Sequence, residues 1–213
     1  MTRVALIVIA KEPRAGRVKT RLCPPCTDGE AARLAEAALV DTLSAVGATP
    51  ARRRLVALEG EPGPWLPAGF EVVPQARGGL AERLAGAFQS VGGPALLVGM
   101  DTPQLTPLVL GRAVAALAAE GVDAVLGPAE DGGYWAIGLE RPDRRVFEGV
   151  PMSTRHTAKA QRARLHSLGL TCGELERLRD VDTIDDARAV AAEAPFSRFA
   201  ATLAAGDALC RAG

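Results

Sequence analysis

The stretch VALIVIAKEPRAGRVKTRL, residues 4–22, decides how the rest of the chain is read. Its first part, Val4 to Ile9, is a near-continuous apolar run, the pattern of a strand buried on both faces of a parallel sheet. The remainder puts five cations, Lys11, Arg14, Arg17, Lys19 and Arg21, into one short stretch. The 213-residue chain carries no net charge, so this cluster is a local feature. In open α/β sheets, ligands sit at the carboxyl ends of the strands, which is where this loop falls. Gly16 permits a turn that other residues resist, and the cations suit a polyphosphate. The loop is not a P-loop, which needs G-x-x-x-x-G-K-[ST]. A triphosphate cradle of another kind stays open.

Composition sets the limits. Hydrophobic residues make up 48% of the chain, enough for a substantial core in one compact domain, and we expect one domain over residues 1–213. No apolar run is long enough to span a membrane. Val4 to Ala10 is too short for a secretory signal and leads straight into the basic loop. Charge neutrality argues against nucleic-acid binding, which wants a basic surface. The cytoplasm is the expected compartment. Only three of the 25 basic residues are lysines, and two of them, Lys11 and Lys19, lie in the opening stretch.

Further along, strands and helices alternate. Thr27-Asp-Gly-Glu30 is a capping box that opens a helix. Strands are expected at Arg54–Leu58, Glu71–Pro74, Ala95–Met100, Asp123–Gly127, Tyr134–Leu139 and near Leu170–Leu175. Helices are expected from about Ala81 to Val91, Thr106 to Glu120 and Thr157 to Leu168, then from Ile184, and from Phe196 to Leu209. That order specifies an α/β sheet with right-handed crossovers.

Two more loops carry chemistry at the same sheet edge. Gly99-Met-Asp-Thr-Pro103 ends a buried strand with a carboxylate, Asp101, of the kind that holds Mg²⁺ beside substrate phosphates, although Asp also caps turns. Gly127-Pro-Ala-Glu-Asp-Gly-Gly-Tyr-Trp135 gathers two acids, two adjacent glycines and two aromatics, and a hairpin turn explains Asp-Gly-Gly nearly as well. The acidic run Asp180 to Asp186 looks mostly ordinary, with Asp182 or Thr183 capping a helix, yet Asp182 would serve as a second metal ligand opposite Asp101. Cys23-Pro-Pro-Cys26 has half the spacing of a zinc site, but no second pair exists, so the cysteines read as incidental. Two histidines and no Gly-x-Ser-x-Gly leave no hydrolase triad.

The segments Lys11-x-Pro-x-x-Gly-x-Val-Lys-Thr-Arg-Leu22, Gln75-x-x-Gly-Gly-Leu-x-Glu-Arg-Leu84, Gly99-x-Asp-Thr-Pro-x-Leu105, Gly127 to Trp135 and Asp180-Val-Asp-Thr183 together resemble a family of small bacterial GT-A-type transferases. That family carries the label of radical-SAM-associated glycosyltransferases and is similar to 2-phospholactate and molybdenum-cofactor guanylyltransferases. The resemblance implies a nucleotide-diphospho-sugar transferase fold: a Rossmann-like three-layer α/β sandwich whose mostly parallel mixed sheet has one antiparallel strand. It implies Mg²⁺ or Mn²⁺ held by Asp101 and Asp182, and a base and ribose site over Gln75, Gly78, Gly79 and Arg83.

The expected activity is nucleotidyl transfer from an NTP to a small phosphorylated or oxyanionic acceptor, with pyrophosphate leaving. Lys19 and Arg14 stabilise the leaving group, while Ala10, Lys11, Gly16 and Arg21 complete the nucleotide site. Asp131 acts on the acceptor side with Glu130, Gly132, Gly133, Tyr134, Ser153 and Thr154. Glycosyl transfer from a nucleotide sugar is the alternative, with non-catalytic nucleotide binding as a second one. Partners are expected to be a nucleotide and a small acceptor, with no nucleic acid and no membrane; the oligomeric state is left open.

Overall fold

In the computed structural model, which describes residues 2–211 and their side chains through Gly206, seven strands form one sheet in the order β3-β2-β1-β4-β6-β5-β7. The elements run β1 (Ala5–Lys11), α1 (Asp28–Ala48), β2 (Arg54–Glu59), β3 (Glu71–Pro74), α2 (Leu80–Val91), β4 (Ala95–Gly99), α3 (Pro107–Leu117), β5 (Ala124–Pro128), β6 (Tyr134–Leu139), α4 (Thr157–Ser167), β7 (Cys172–Glu174), α5 (Ile184–Glu193) and α6 (Arg198–Arg211). Only β6 runs against its neighbours, pairing antiparallel with both β4 and β5. The result is the mostly parallel mixed sheet that the resemblance implied.

The reason β1 is apolar throughout is now visible. Alternate side chains along a strand face opposite ways, and both faces of this sheet are covered. Leu6 and Val8 pack with Leu39 and Leu43 of α1 and Leu110 of α3. Ala5 and Ile7 pack with Leu84 and Phe88 of α2 and Leu165 of α4. A third cluster joins Leu34 and Ala38 of α1 to Val190 of α5 and to Phe199 and Leu203 of α6.

Local signals fix several ends. Thr27 accepts from the N–H of Glu30, whose carboxylate accepts from the N–H of Thr27, the reciprocal capping box that starts α1. Thr183, not Asp182, caps α5, again reciprocally with Asp186. At α6 the cap is long-range: Asp41 of α1 accepts from the N–H groups of Arg198 and Phe199 at 3.1 and 2.9 Å. The helix α3 stops at Leu117, short of the expected Glu120, and β7 is a three-residue edge strand. Among the described residues, no helix is long and apolar enough to cross a membrane. Cys23 and Cys26 are half-buried against the third cluster, and the side chain of Cys210 lies outside the described residues.

Candidate active site

The register sets the site. Ile9 of β1 lies beside Gly99 of β4, and Ala10 and Lys11 lie beside Leu58 and Glu59 of β2. The loops leaving β1 and β4 therefore emerge side by side at the carboxyl edge of the sheet. A cleft of about 400 Å³ opens there. Ala10, Lys11, Lys19, Arg21, Gln75, Arg83, Asp101, Tyr134 and Asp182 line it, as do Arg17 and Trp135. Arg14, Gly16, Gly78, Gly79, Glu130, Asp131, Gly132, Gly133, Ser153 and Thr154 do not contribute to its wall.

The basic loop is pinned at two points, because Val18 is buried in the first core cluster and Leu22 in the third. Gly16 turns the loop at φ +72°. Lys19 also has left-handed backbone, at φ +51°, which an L side chain adopts at a cost. Its side chain is only 9% exposed, and its ammonium lies 2.9 Å from Asp101 Oδ2 while donating to the carbonyl of Val181. Arg21 pairs with Asp182. Lys11 lies 3.6 Å from Glu59, and Arg14 lies 3.6 Å from Glu12. Arg17 forms no ion pair among the described residues and is exposed at the cleft wall.

Asp101 stands two residues beyond β4, which ends at Gly99 and not at the expected Met100. One of its carboxylate oxygens is held by Lys19; the other, Oδ1, is buried without a hydrogen-bond partner. The Val181 N–H donates to the Asp101 carbonyl at 3.1 Å, which brings the segment before α5 alongside. This contact places a carboxylate that the sequence reading passed over. Asp180 is half-buried, and its pKa is pushed up to about 6, chiefly by burial and then by the carboxylate of Asp131, with Asp101 adding to the effect. The two-residue spacing of Asp180 and Asp182 on an extended segment was the available signal. Like charges so arranged favour a cation among them. Hard oxygen donors, one of them an unpartnered buried atom, fit Mg²⁺ or Mn²⁺, which commonly takes one or two carboxylates plus phosphate oxygens. Among the described residues, no group of three or more His, Cys, Asp or Glu is placed to hold a metal ion.

On the nucleotide side, the Gln75 amide N–H₂ donates to the carbonyls of Ala10 (2.8 Å) and Ala57 (3.0 Å). Gln75 also lines the cleft. Arg83 donates to the carbonyl of Gly78 and pairs with Glu59. Gly78 and Gly79 serve the start of α2, with Gly79 as its N-cap.

Beside the cleft, the β5–β6 hairpin turn is held by its own acid: Gly133 N–H donates to Asp131 Oδ1 at 2.7 Å. Glu130 pairs with Arg179. Gly132 has φ +90°, and a Cβ there would stand 2.1 Å from the carbonyl oxygen of Arg155. The turn is thus fastened to the segment before α4, where Thr154 N–H donates to Thr157 Oγ1 at 2.9 Å and Ser153 takes φ +58°. Tyr134 donates to Gln161 at 3.4 Å; burial raises the pKa of its hydroxyl.

Residues 31–154 match the family described as "Uncharacterized protein conserved in bacteria (DUF2064)". The chain belongs to that family. No curated protein matches it in sequence. Among solved structures it is similar to a candidate nucleotide-diphospho-sugar transferase from Desulfovibrio desulfuricans G20, at 25% identity and TM-score 0.87, over 99% of this chain and 98% of that one. It shares its fold with the manganese complex of Rv0371c from Mycobacterium tuberculosis H37Rv (23% identity, TM-score 0.54, 89% of this chain and 97% of that one). It also shares it with CMP:2-keto-3-deoxy-manno-octonic acid synthetase complexed with CTP (14% identity, TM-score 0.53, 90% and 99%). The fold of this family member is that of the nucleotide-diphospho-sugar transferases.

Proposed function

We propose that this protein is a metal-dependent nucleotidyltransferase that moves an NMP from an NTP to a small phosphorylated or oxyanionic acceptor and releases pyrophosphate. The observation that carries this reading is one cleft in which Lys19, Arg17 and Arg21 face Asp101 and Asp182 where β1 and β4 end. Phosphoryl-group chemistry of this kind needs positioning and charge neutralisation more than a protein base. The fold shared with a CTP-bound synthetase and a manganese-bound protein supports it.

In this reading the Gln75 oxygen accepts from an N–H of the base, and Arg83 with the Gly78–Gly79 turn borders the ribose. Lys11, Arg17, Lys19 and Arg21 hold the phosphates, with Arg14 and Gly16 shaping the loop around them. Asp101 and Asp182, with Asp180 alongside, would hold the divalent cation, which when bound neutralises charge on the reacting phosphate. Asp131, Glu130, Gly132, Gly133, Tyr134, Ser153 and Thr154 form the acceptor side. The chain works as one domain in the cytoplasm. The test is pyrophosphate release from each NTP with a panel of phosphorylated acceptors, with and without EDTA; NTP consumption without pyrophosphate would overturn the reading.

Glycosyl transfer is the second reading, favoured by the 0.87 TM-score match to a candidate nucleotide-diphospho-sugar transferase. There the same cleft would hold a nucleoside diphosphate, with Asp131 or Glu130 activating an acceptor hydroxyl. A thermal-shift screen separates the two, since ligands of the native state raise its stability: a larger shift with a nucleotide sugar than with any NTP favours glycosyl transfer.

A further inference from the structure

We propose that Lys19 is a displaceable stand-in for the divalent cation: its ammonium neutralises the Asp101 carboxylate that would hold the metal, so the cation enters only with a polyphosphate that takes the ammonium over. The inference rests on the nucleotide reading above for the identity of the polyphosphate.

Four features of the site point this way. The ammonium is nearly buried, so it has lost most of its hydration and depends on what it touches. What it touches are two oxygens, Asp101 Oδ2 and the Val181 carbonyl, contributed by the loops after β4 and before α5. The backbone of Lys19 is held left-handed to deliver it there. Finally, the other oxygen of Asp101 is buried and unpartnered, so the carboxylate has spare capacity for a cation while its accessible charge is already neutralised. Arg21, whose side chain is largely exposed, pairs with Asp182. Two of the loop's cations thus sit on the two carboxylates named as metal ligands.

A divalent cation and an ammonium on the same carboxylate repel each other, so a bare ion that binds Asp101 works against Lys19. Displaced into open water, Lys19 would give up both oxygens for hydration alone. Displaced onto a polyphosphate in the same cleft, it exchanges one anion for another. The site should therefore discriminate against free metal and accept the metal–polyphosphate complex.

The test measures Mn²⁺ binding by electron paramagnetic resonance, first with Mn²⁺ alone and then with preformed Mn²⁺–tripolyphosphate. Wild type should bind the complex more tightly than the bare ion. Lys19→Met should bind bare Mn²⁺ about tenfold or more tighter than wild type, because a like charge has been removed. The same variant should bind the complex more weakly than wild type. The gain for the bare ion should vanish when Asp101→Asn is added. Thermal melting checks the fold, and Lys19→Gln carries the same test should the methionine variant not fold.

Equal Mn²⁺ affinity in wild type and variant overturns the proposal. So does weaker binding of both probes, a gain that survives Asp101→Asn, or wild type that binds the bare ion as tightly as the complex. Failure of the transfer reading shows instead as absent pyrophosphate release, and these binding results would stand without it.

Discussion

The amide of Val181 donates to the carbonyl of Asp101 at 3.1 Å, joining the end of β4 to a segment far away in sequence. The acids Asp180 and Asp182 flank this contact, Asp182 lines the same cleft as Asp101, and the Val181 carbonyl receives Lys19. If these carboxylates hold the cation, Asp101→Asn reduces turnover to background and abolishes the sensitivity to EDTA. It also leaves the Lys19 ammonium short of a counter-charge, so a modest loss of stability accompanies it. Turnover, Mn²⁺ binding and urea denaturation check the three parts; wild-type turnover in the variant would remove Asp101 from the metal site.

Arg17 and Arg14 stand differently toward the cleft. Arg17 lines it without an ion pair among the described residues, whereas Arg14 is not part of its wall and lies 3.6 Å from Glu12. Arg17→Ala is expected to weaken NTP binding by roughly tenfold or more, in line with about 1.5–3 kcal/mol for a hydrogen bond to a charged group. Arg14→Ala should have a smaller effect. Titration with an NTP, the matching monophosphate and the nucleoside reads this out, and equal weakening of all three by Arg17→Ala contradicts a phosphate contact.

Asp131→Ala should damage turnover more than nucleotide affinity, because the hairpin turn borders the cleft without forming its wall. Steady-state kinetics beside nucleotide titration distinguish the two. Equal losses would assign Asp131 to the nucleotide side.

Gly132→Ala is expected to destabilise the protein and to cut turnover together. Its φ of +90° is one that L residues avoid at a cost of roughly 1–3 kcal/mol. A Cβ would also collide with the Arg155 carbonyl, forcing the 153–156 segment away. A lowered urea midpoint with reduced turnover checks it, and unchanged stability would show that the two segments are not fastened there.

Asp41→Ala should cost about 1 kcal/mol, within roughly 0.5–2, as the loss of a helix cap does. The two N–H groups at the start of α6 would lose their acceptor. Asp41→Asn should be milder: burial already works against the charged carboxylate and raises its pKa, and a neutral amide oxygen still accepts. Chemical denaturation of both variants decides, with turnover unchanged since neither Asp41 nor α6 is part of the cleft lining.

What the sequence by itself determined is what short-range physics writes. The unbroken apolar run of β1 announced a strand covered on both faces, and Thr27 with Glu30 announced the start of α1. Glu71–Pro74 and Tyr134–Leu139 have the bounds that pattern and turn residues suggested. The chemistry-bearing loops were legible as well, because strand ends are marked by where apolar runs stop. Only the tertiary structure decided which of their residues meet. The antiparallel pairing of β6 with β5 is a short hairpin of the kind the Asp-Gly-Gly turn allowed, but placing β6 beside β4 is a matter of non-local pairing. That Asp180 feels Asp101 and Asp131, that Arg17 and not Arg14 lines the cleft, and that Lys19 rests on Asp101 all depend on loops brought together by the sheet. Local spacing carries no record of such contacts, since each is made between segments whose separation is set by the packing of the whole chain.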